Sequence, residues 1–254
     1  MRLDVVVLAG RQNTGKLASV DTARWEALIN IAGRPMLRWV LEALRASTFI
    51  EDIVVVGPDE VSEIAADYRA STVAPSDDLV ANVGLGIAGL SGKNMVACAT
   101  SDIPLITASV LDSFFSQCEN KPAQLFYPII SKDLLETTYP GIRRTYSSLR
   151  DGTYTGGNVV VLDPRILESF RETAYKLIKY RKNPIMMCSV VGWGMVFKLL
   201  TGRLTISELE SRASRLFGLT AKAVVLEYPE IGVDVDKPSD YLLVNEILRE
   251  SKRH

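Results

Sequence analysis

Short apolar runs alternate along the chain with stretches whose apolar positions recur every three to four residues. The runs "LDVVVL" (3 to 8), "DIVVVG" (52 to 57), "STVA" (71 to 74) and "NMVACAT" (94 to 100) are rich in β-branched residues and nearly continuous. That is the pattern of strands covered on both faces. In "GRPMLRWVLEALRAS", Leu37, Val40, Leu41 and Leu44 stand at i, i+3, i+4 and i+7, and Pro35 suits a first helical position. Weaker helical patterns cover residues 59 to 68, 78 to 90 and 107 to 117. The resulting βαβαβαβα run predicts an α/β fold, doubly wound around a mostly parallel sheet. Such sheets bind ligands at the carboxyl ends of their strands, which in this chain are the loops starting at Ala9, Gly57, Ala74 and Thr100.

The second half is less regular. Asp151-Gly152 is a hairpin signal between residues of strand character, so an antiparallel ribbon is expected to feed the strand "NVVVL". After Pro164 the pattern is helical to about Gly218, with breaks at Asn183-Pro184 and Gly202, and reads as a helical insertion in the C-terminal half. The stretch "KAVVLEYPEIGVDVDKPSDYLLVNEILRE" predicts a strand, a turn, a short strand and a last helix beginning near Pro238. With no linker, repeat or low-complexity tract, residues 1–254 are expected to form one domain.

Charge and composition narrow the class of function. Lys+Arg 29 against Asp+Glu 30 leaves no basic footprint for nucleic acid, so a small-molecule substrate is expected. Cys98, Cys118 and Cys188 form neither a pairing framework nor a CxxC site, which reads as reduced thiols of a cytoplasmic protein. The only histidine is His254, which removes Ser-His, Cys-His and His-ligated metal chemistry. No segment has the length of a membrane span; the longest apolar run, residues 184 to 197, reads as a buried helix or pocket wall, and because it follows the basic "KLIKYRK" (176 to 182) it also suits a membrane surface.

Gly10, Gly15 and Lys16 have the GxxxxGK spacing of a phosphate loop, but Leu17 stands where the Mg²⁺-binding Ser or Thr belongs. Two acidic positions offer more. Asp102 follows an apolar strand directly, and Asp236 ends the short strand, with Asp234 two residues earlier on the same face. Carboxylates there suit Mg²⁺, which takes hard oxygen ligands and completes its shell with phosphate and water. A helix-capping role fits Asp102, before Pro104, and Asp236 equally. Asn82, in "APSDDLVANVGL", carries an amide able to read a base edge or simply to face solvent on its helix. Arg143, Arg144 and Arg150 stand near Tyr139, Tyr146 and Tyr154, with Gly156-Gly157 and Asn158 following. Arginine forks suit an anionic acceptor; a solvated hairpin with aromatic cross-strand pairs fits the same residues.

The ordered segments "VVVLAG", "EALINIAGRPMLRWVLEAL", "ATSDIPLIT" and "VDVDKPSDY" resemble the signatures of nucleotidyltransferases similar to molybdenum cofactor guanylyltransferase, which share the glycosyltransferase-A fold. The resemblance lapses from about 127 to 219, the region expected to vary with the acceptor. It implies that Leu8, Ala9, Gly10, Arg11, Asn82 and Ser101 bind the nucleotide and that Asp102 and Asp236 hold Mg²⁺; Asp234, on the face of Asp236, is a further candidate ligand. The implied reaction transfers a nucleoside monophosphate from a triphosphate to a small phosphorylated or hydroxylated acceptor, releasing pyrophosphate. Arg143, Arg144, Gly157 and Asn158 would face that acceptor.

The chain departs from the family pattern in two ways. Arg11 replaces the second glycine of LAGG, and Glu26 stands where the family's phosphate-binding lysine falls, bringing negative charge towards phosphates. Lys16 or Arg24 would then supply the missing cation, and Arg34 replaces the lysine at the helix start. A glycosyltransferase using a nucleotide sugar, a P-loop hydrolase and an inactive nucleotide-binding homologue are the competing readings.

Overall fold

The computed structural model describes residues 1–92, 94–119, 121–167, 173, 175–176, 180, 186, 190 and 192–251. Leu3–Leu8 (β1), apolar but for the buried Asp4, is flanked on both edges. It pairs in parallel with Ile50–Val56 (β4) and Met95–Thr100 (β6), and β4 pairs in parallel with Ser71–Val73 (β5). Leu125–Ser131 (β7) extends the sheet on the far side. It lies parallel to Ala221–Leu226 (β11) and antiparallel to Gly152–Gly156 (β9) and Val159–Leu162 (β10), and β10 joins it to β6. Ser147–Leu149 (β8) pairs with β9 at the edge.

Helices cover both faces. On one, Met36–Ala46 (α1) and Ala108–Glu119 (α4) bury Leu37, Val40, Leu41, Phe114 and Phe115 in the main core. Each such side chain contributes roughly 1.5–3 kcal/mol by leaving water. On the other, Leu79–Ala88 (α3) packs on β1 and β4, and the helix Ile206–Phe217 packs on β11. A Cβ on Gly86 would run into Val6, so glycine is what lets α3 approach the sheet. The helix Pro238–Ser251 closes the chain.

The four predicted N-terminal strands and the doubly wound, mostly parallel sheet are present, but several details differ. Pro35 is the N-cap of α1 and belongs to a two-stranded ribbon, Asn30–Ile31 (β2) with Arg34–Pro35 (β3). The turn between them has positive φ at both Ala32 and Gly33, as a tight hairpin requires. Residues 59 to 68 form a 3₁₀ turn, Asp59–Val61, and then a short helix, Ser62–Asp67 (α2). The hairpin turn falls on Arg150 and Asp151, because Leu149 already pairs with Gly152.

The short strand expected before Asp236 is absent. Pro229–Gly232 is a 3₁₀ turn, and residues 233–237 follow without regular secondary structure and without joining a ladder. No helix starts at Pro104 either; α4 begins at Ala108, which removes the capping role considered for Asp102. Cys98 and Cys118 are buried free thiols, while Cys188, His254 and most of the basic and apolar segment 176 to 191 fall outside the described residues. Among the described residues no helix is long and apolar enough to cross a membrane.

Candidate active site

The carboxyl ends of β1 and β6 are tied together by Ser101 N donating to Leu8 O at 3.2 Å, and Ala9 N donates to Val56 O on β4 at 2.8 Å. Leu8, Ala9, Gly10, Arg11 and Ser101 therefore share one rim. A Cβ on Gly10 would lie 2.6 Å from Pro75 Cβ, so only glycine lets the β1 loop pass the loop after β5. No helix follows β1 as a P-loop would need. Lys16–Ser19 is a single 3₁₀ turn, and Gln12 makes an isolated bridge with Trp25.

Asp102 sits just beyond β6 with Oδ1 buried and, among the described residues, without a hydrogen-bond partner. Burial pushes its carboxyl above the usual range, and the negative charge of Asp236 acts in the same direction. Its backbone carbonyl accepts from Val235 N at 2.9 Å, which clamps the segment 233–237 at the end of β6. Because Asp234 and Asp236 flank Val235, both reach Asp102. Carboxylate oxygens of Asp102, Asp234 and Asp236 lie within 4.8 Å of one another.

Two arginines face this negative group. Arg11 Nη1 donates to Asp236 Oδ1 at 3.0 Å while its Nε pairs with Glu26 Oε1 at 3.2 Å. Arg144, half-buried in the loop before β8, is in direct contact with the Asp234 carboxylate. Glu26 is buried, and desolvation pushes its carboxyl up to about 7; Arg11 opposes this, while the charges of Asp102 and Asp236 add to it. The negative charge that Glu26 brings to this rim is met by the Arg11 guanidinium. Its carboxyl is buried and paired with Arg11, whose guanidinium also reaches Asp236.

The remaining candidates divide. Lys16 is exposed and makes no ion pair among the described residues. Arg24 stacks 5.3 Å over the Trp25 ring and pairs with Glu60 at 3.5 Å. Arg34 pairs with Glu42 and lies over Trp39, so it braces the start of α1. Asn82 spends its amide on Ser76, accepting from N at 2.7 Å and donating to O at 2.9 Å. None of these four touches the carboxylates through any of these bonds.

On the far side of the carboxylates is a polar cleft of about 370 Å³ lined by Arg143, Arg144, Gly157, Asn158, Asp234 and Asp236. Asn158 is fixed by its backbone N–H and its amide, which donate to Ile231 O at 2.9 and 3.3 Å.

Two residues of the site escaped sequence reading. Asp240, buried in the last helix, accepts from Asp236 N at 3.3 Å and pairs with Lys237 at 3.6 Å, holding the Asp236 backbone. Tyr127 on β7 lines the cleft, and a Cβ on Gly156 would run into its hydroxyl. An acidic first helical turn was the only sequence signal for Asp240, and no local pattern marked Tyr127.

The donor set fits a hard divalent cation. It consists only of carboxylates, and Asp102 carries a buried oxygen with no hydrogen-bond partner among the described residues.

A family described as the MobA-like NTP transferase domain matches residues 5–180, well past the point at 127 where the motif resemblance lapses. Among solved structures, one described as a hypothetical transferase from Thermus thermophilus is similar over 95% of this chain and 100% of its own, at 37% identity and a TM-score of 0.84. A CMP:2-keto-3-deoxy-manno-octonic acid synthetase complexed with CTP shares the fold, with a TM-score of 0.67 over 99% of this chain and 100% of its own at 10% identity. The curated 3-deoxy-manno-octulosonate cytidylyltransferase of Synechococcus elongatus is 32% identical over 95 residues, 36% of this chain and 39% of that protein. The chain spans less than half the length of the curated relatives it matches.

Proposed function

We propose, for a chain that belongs to the MobA-like NTP transferase family, the transfer of a nucleoside monophosphate from a triphosphate to a small phosphorylated acceptor. The observation that carries this reading is the convergence of Asp102, Asp234 and Asp236 at the rim formed by the loop after β1. An acceptor phosphate oxygen attacks the α-phosphorus, a new P–O bond forms, and the bond to the bridging oxygen breaks, its electron pair leaving with pyrophosphate. An ionised acceptor oxygen brings no proton to remove, which suits a chain whose only histidine is its last residue.

Mg²⁺ held by Asp102 and Asp236 would neutralise charge on the triphosphate. The chain's own residues position the reactants. The loop from Leu8 to Arg11, with Ser101, supports the triphosphate. Arg11 is the phosphate-facing cation, exposed at its tip and held at its base by Glu26. On the other side Arg143 is free to meet the acceptor phosphate, while Arg144 keeps Asp234 neutralised. Residues 1–254 act as one domain in this reading, with 127–219 forming its acceptor side.

The test is pyrophosphate release across a panel of nucleoside triphosphates, sugar phosphates and nucleotide sugars, with and without Mg²⁺. Asp102→Asn is expected to lower the rate by at least about 100-fold, the scale on which disturbed metal coordination acts, and to abolish thermal stabilisation by MgCl₂. Release that persists in the variant, or turnover of nucleotide sugars alone, would overturn the reading.

A further inference from the structure

Beside the polar cleft lies a trough of about 730 Å³ on the face of the sheet that carries α3 and the helix Ile206–Phe217. Leu125, Ile129, Val160 and Cys98 line its floor, and Leu79 and Leu209 stand on opposite walls. Tyr127, Thr155, Gly156, Gly157 and Asn158 line both spaces, so the charged cleft and the apolar trough adjoin along this stretch.

The alternation of β7 produces this division. Phe126 and Ile130 point into the core, while Leu125, Tyr127 and Ile129 face the trough. The volume lies in the range of small-ligand sites, and an apolar surface of this size is costly to leave wet. At the β8 end of the trough packs the helix Trp193–Leu200, and its Trp193, Phe197 and Leu200 stand exposed at i, i+4 and i+7. A stripe of large apolar side chains open to solvent suits contact with an amphiphile-bearing surface.

We infer that the acceptor is an amphiphile, with a phosphate head placed in the cleft beside Arg143 and an apolar chain lying along the trough. This rests on the nucleotidyl-transfer reading for the identity of the head group. It adds that specificity comes from the chain, through burial, because the trough offers the chain few polar partners.

The test measures binding of butyl, octyl and dodecyl phosphate, each below its micelle concentration, to the full chain by calorimetry. Affinity is expected to rise by about 100-fold from butyl to octyl phosphate, following the transfer free energy of a methylene. Leu79→Asn and Leu209→Asn, on opposite and partly exposed walls, should each flatten this dependence while leaving butyl phosphate binding within about twofold. Using both guards against one failing to fold.

Equal affinity for all three chain lengths overturns the inference, and so does a dependence untouched by either variant. Pelleting with phosphatidylcholine vesicles that contain hexadecyl phosphate, reduced by Trp193→Ser, would identify a membrane as the source of the amphiphile. Binding of dodecyl phosphate without pelleting would identify a free one, and both support the class. The two readings fail separately. A retained chain-length dependence with no pyrophosphate release from any triphosphate supports the amphiphile site and refutes nucleotidyl transfer. Release towards short acceptors with a flat dependence does the reverse.

Discussion

Replacing Glu26 by Gln should change stability by an amount that grows with pH. Glu26 is buried, its Oε2 lacks a hydrogen-bond partner, and burial pushes its carboxyl from 4.5 up to about 7. Between those two values the folded protein keeps a proton that the unfolded chain has released. Stability therefore falls as pH rises from about 4.5 to about 7 and stays low above it. At about 1.4 kcal/mol per pH unit the gap amounts to roughly 3 kcal/mol. Arg11 opposes this shift without cancelling it: its side chain is 64% exposed, and such pairs contribute about 0.2–1 kcal/mol. Gln keeps the volume and cannot ionise. Glu26→Gln should thus match the parent within about 1 kcal/mol at pH 4 and exceed it by about 3 kcal/mol at pH 8. Urea unfolding of both proteins with EDTA from pH 4 to 9 measures the difference, in which the other titrating groups cancel. A difference that does not vary with pH, or a variant less stable than the parent at pH 8, would refute the reasoning.

Arg144→Ala should cost about 3 kcal/mol in urea unfolding, because it leaves the enclosed Asp234 carboxylate unpaired. Arg143→Ala, at an exposed position, should stay within about 0.5 kcal/mol and act on acceptor KM instead; equal stability losses in the two would be the contrary result. Lys16→Ala should weaken triphosphate binding by less than about 1 kcal/mol, as befits an exposed, solvated charge, and calorimetry showing a loss of several kcal/mol would contradict that. Gly86→Ala should destabilise the fold by about 1–3 kcal/mol through overpacking as the new methyl meets Val6, read as a lowered urea midpoint.

Periodicity made the first half of the chain legible. β1, β4, β5, β6 and α1 each carry their own signal, because a strand covered on both faces is continuously apolar and a helix on a sheet is striped. Composition likewise pointed to a small-molecule substrate handled without histidine before any contact was known. β7 was not legible. Only alternate residues of it are buried, and Pro128 interrupts the run. Its place beside β10 and β11 depends on partners about 35 and 100 residues away in the chain, pairings that long-range contacts alone decide.

The acidic residues show the same division. Asp102, Asp234 and Asp236 could be singled out one by one, since carboxylates at strand ends are visible in sequence. Their convergence depends on the bond from Val235 N to Asp102 O, between residues more than a hundred positions apart, and on a segment that is not a strand at all. Arg11 and Glu26 read separately as two losses, of a glycine and of a lysine. The tertiary structure makes them a pair, because Glu26 N donates to Arg11 O at 3.0 Å and sets their side chains together over the carboxylates. Residue type determined what chemistry was available, whereas chain crossing decided which charges meet, because a charge interaction depends on distance and desolvation and local sequence specifies neither.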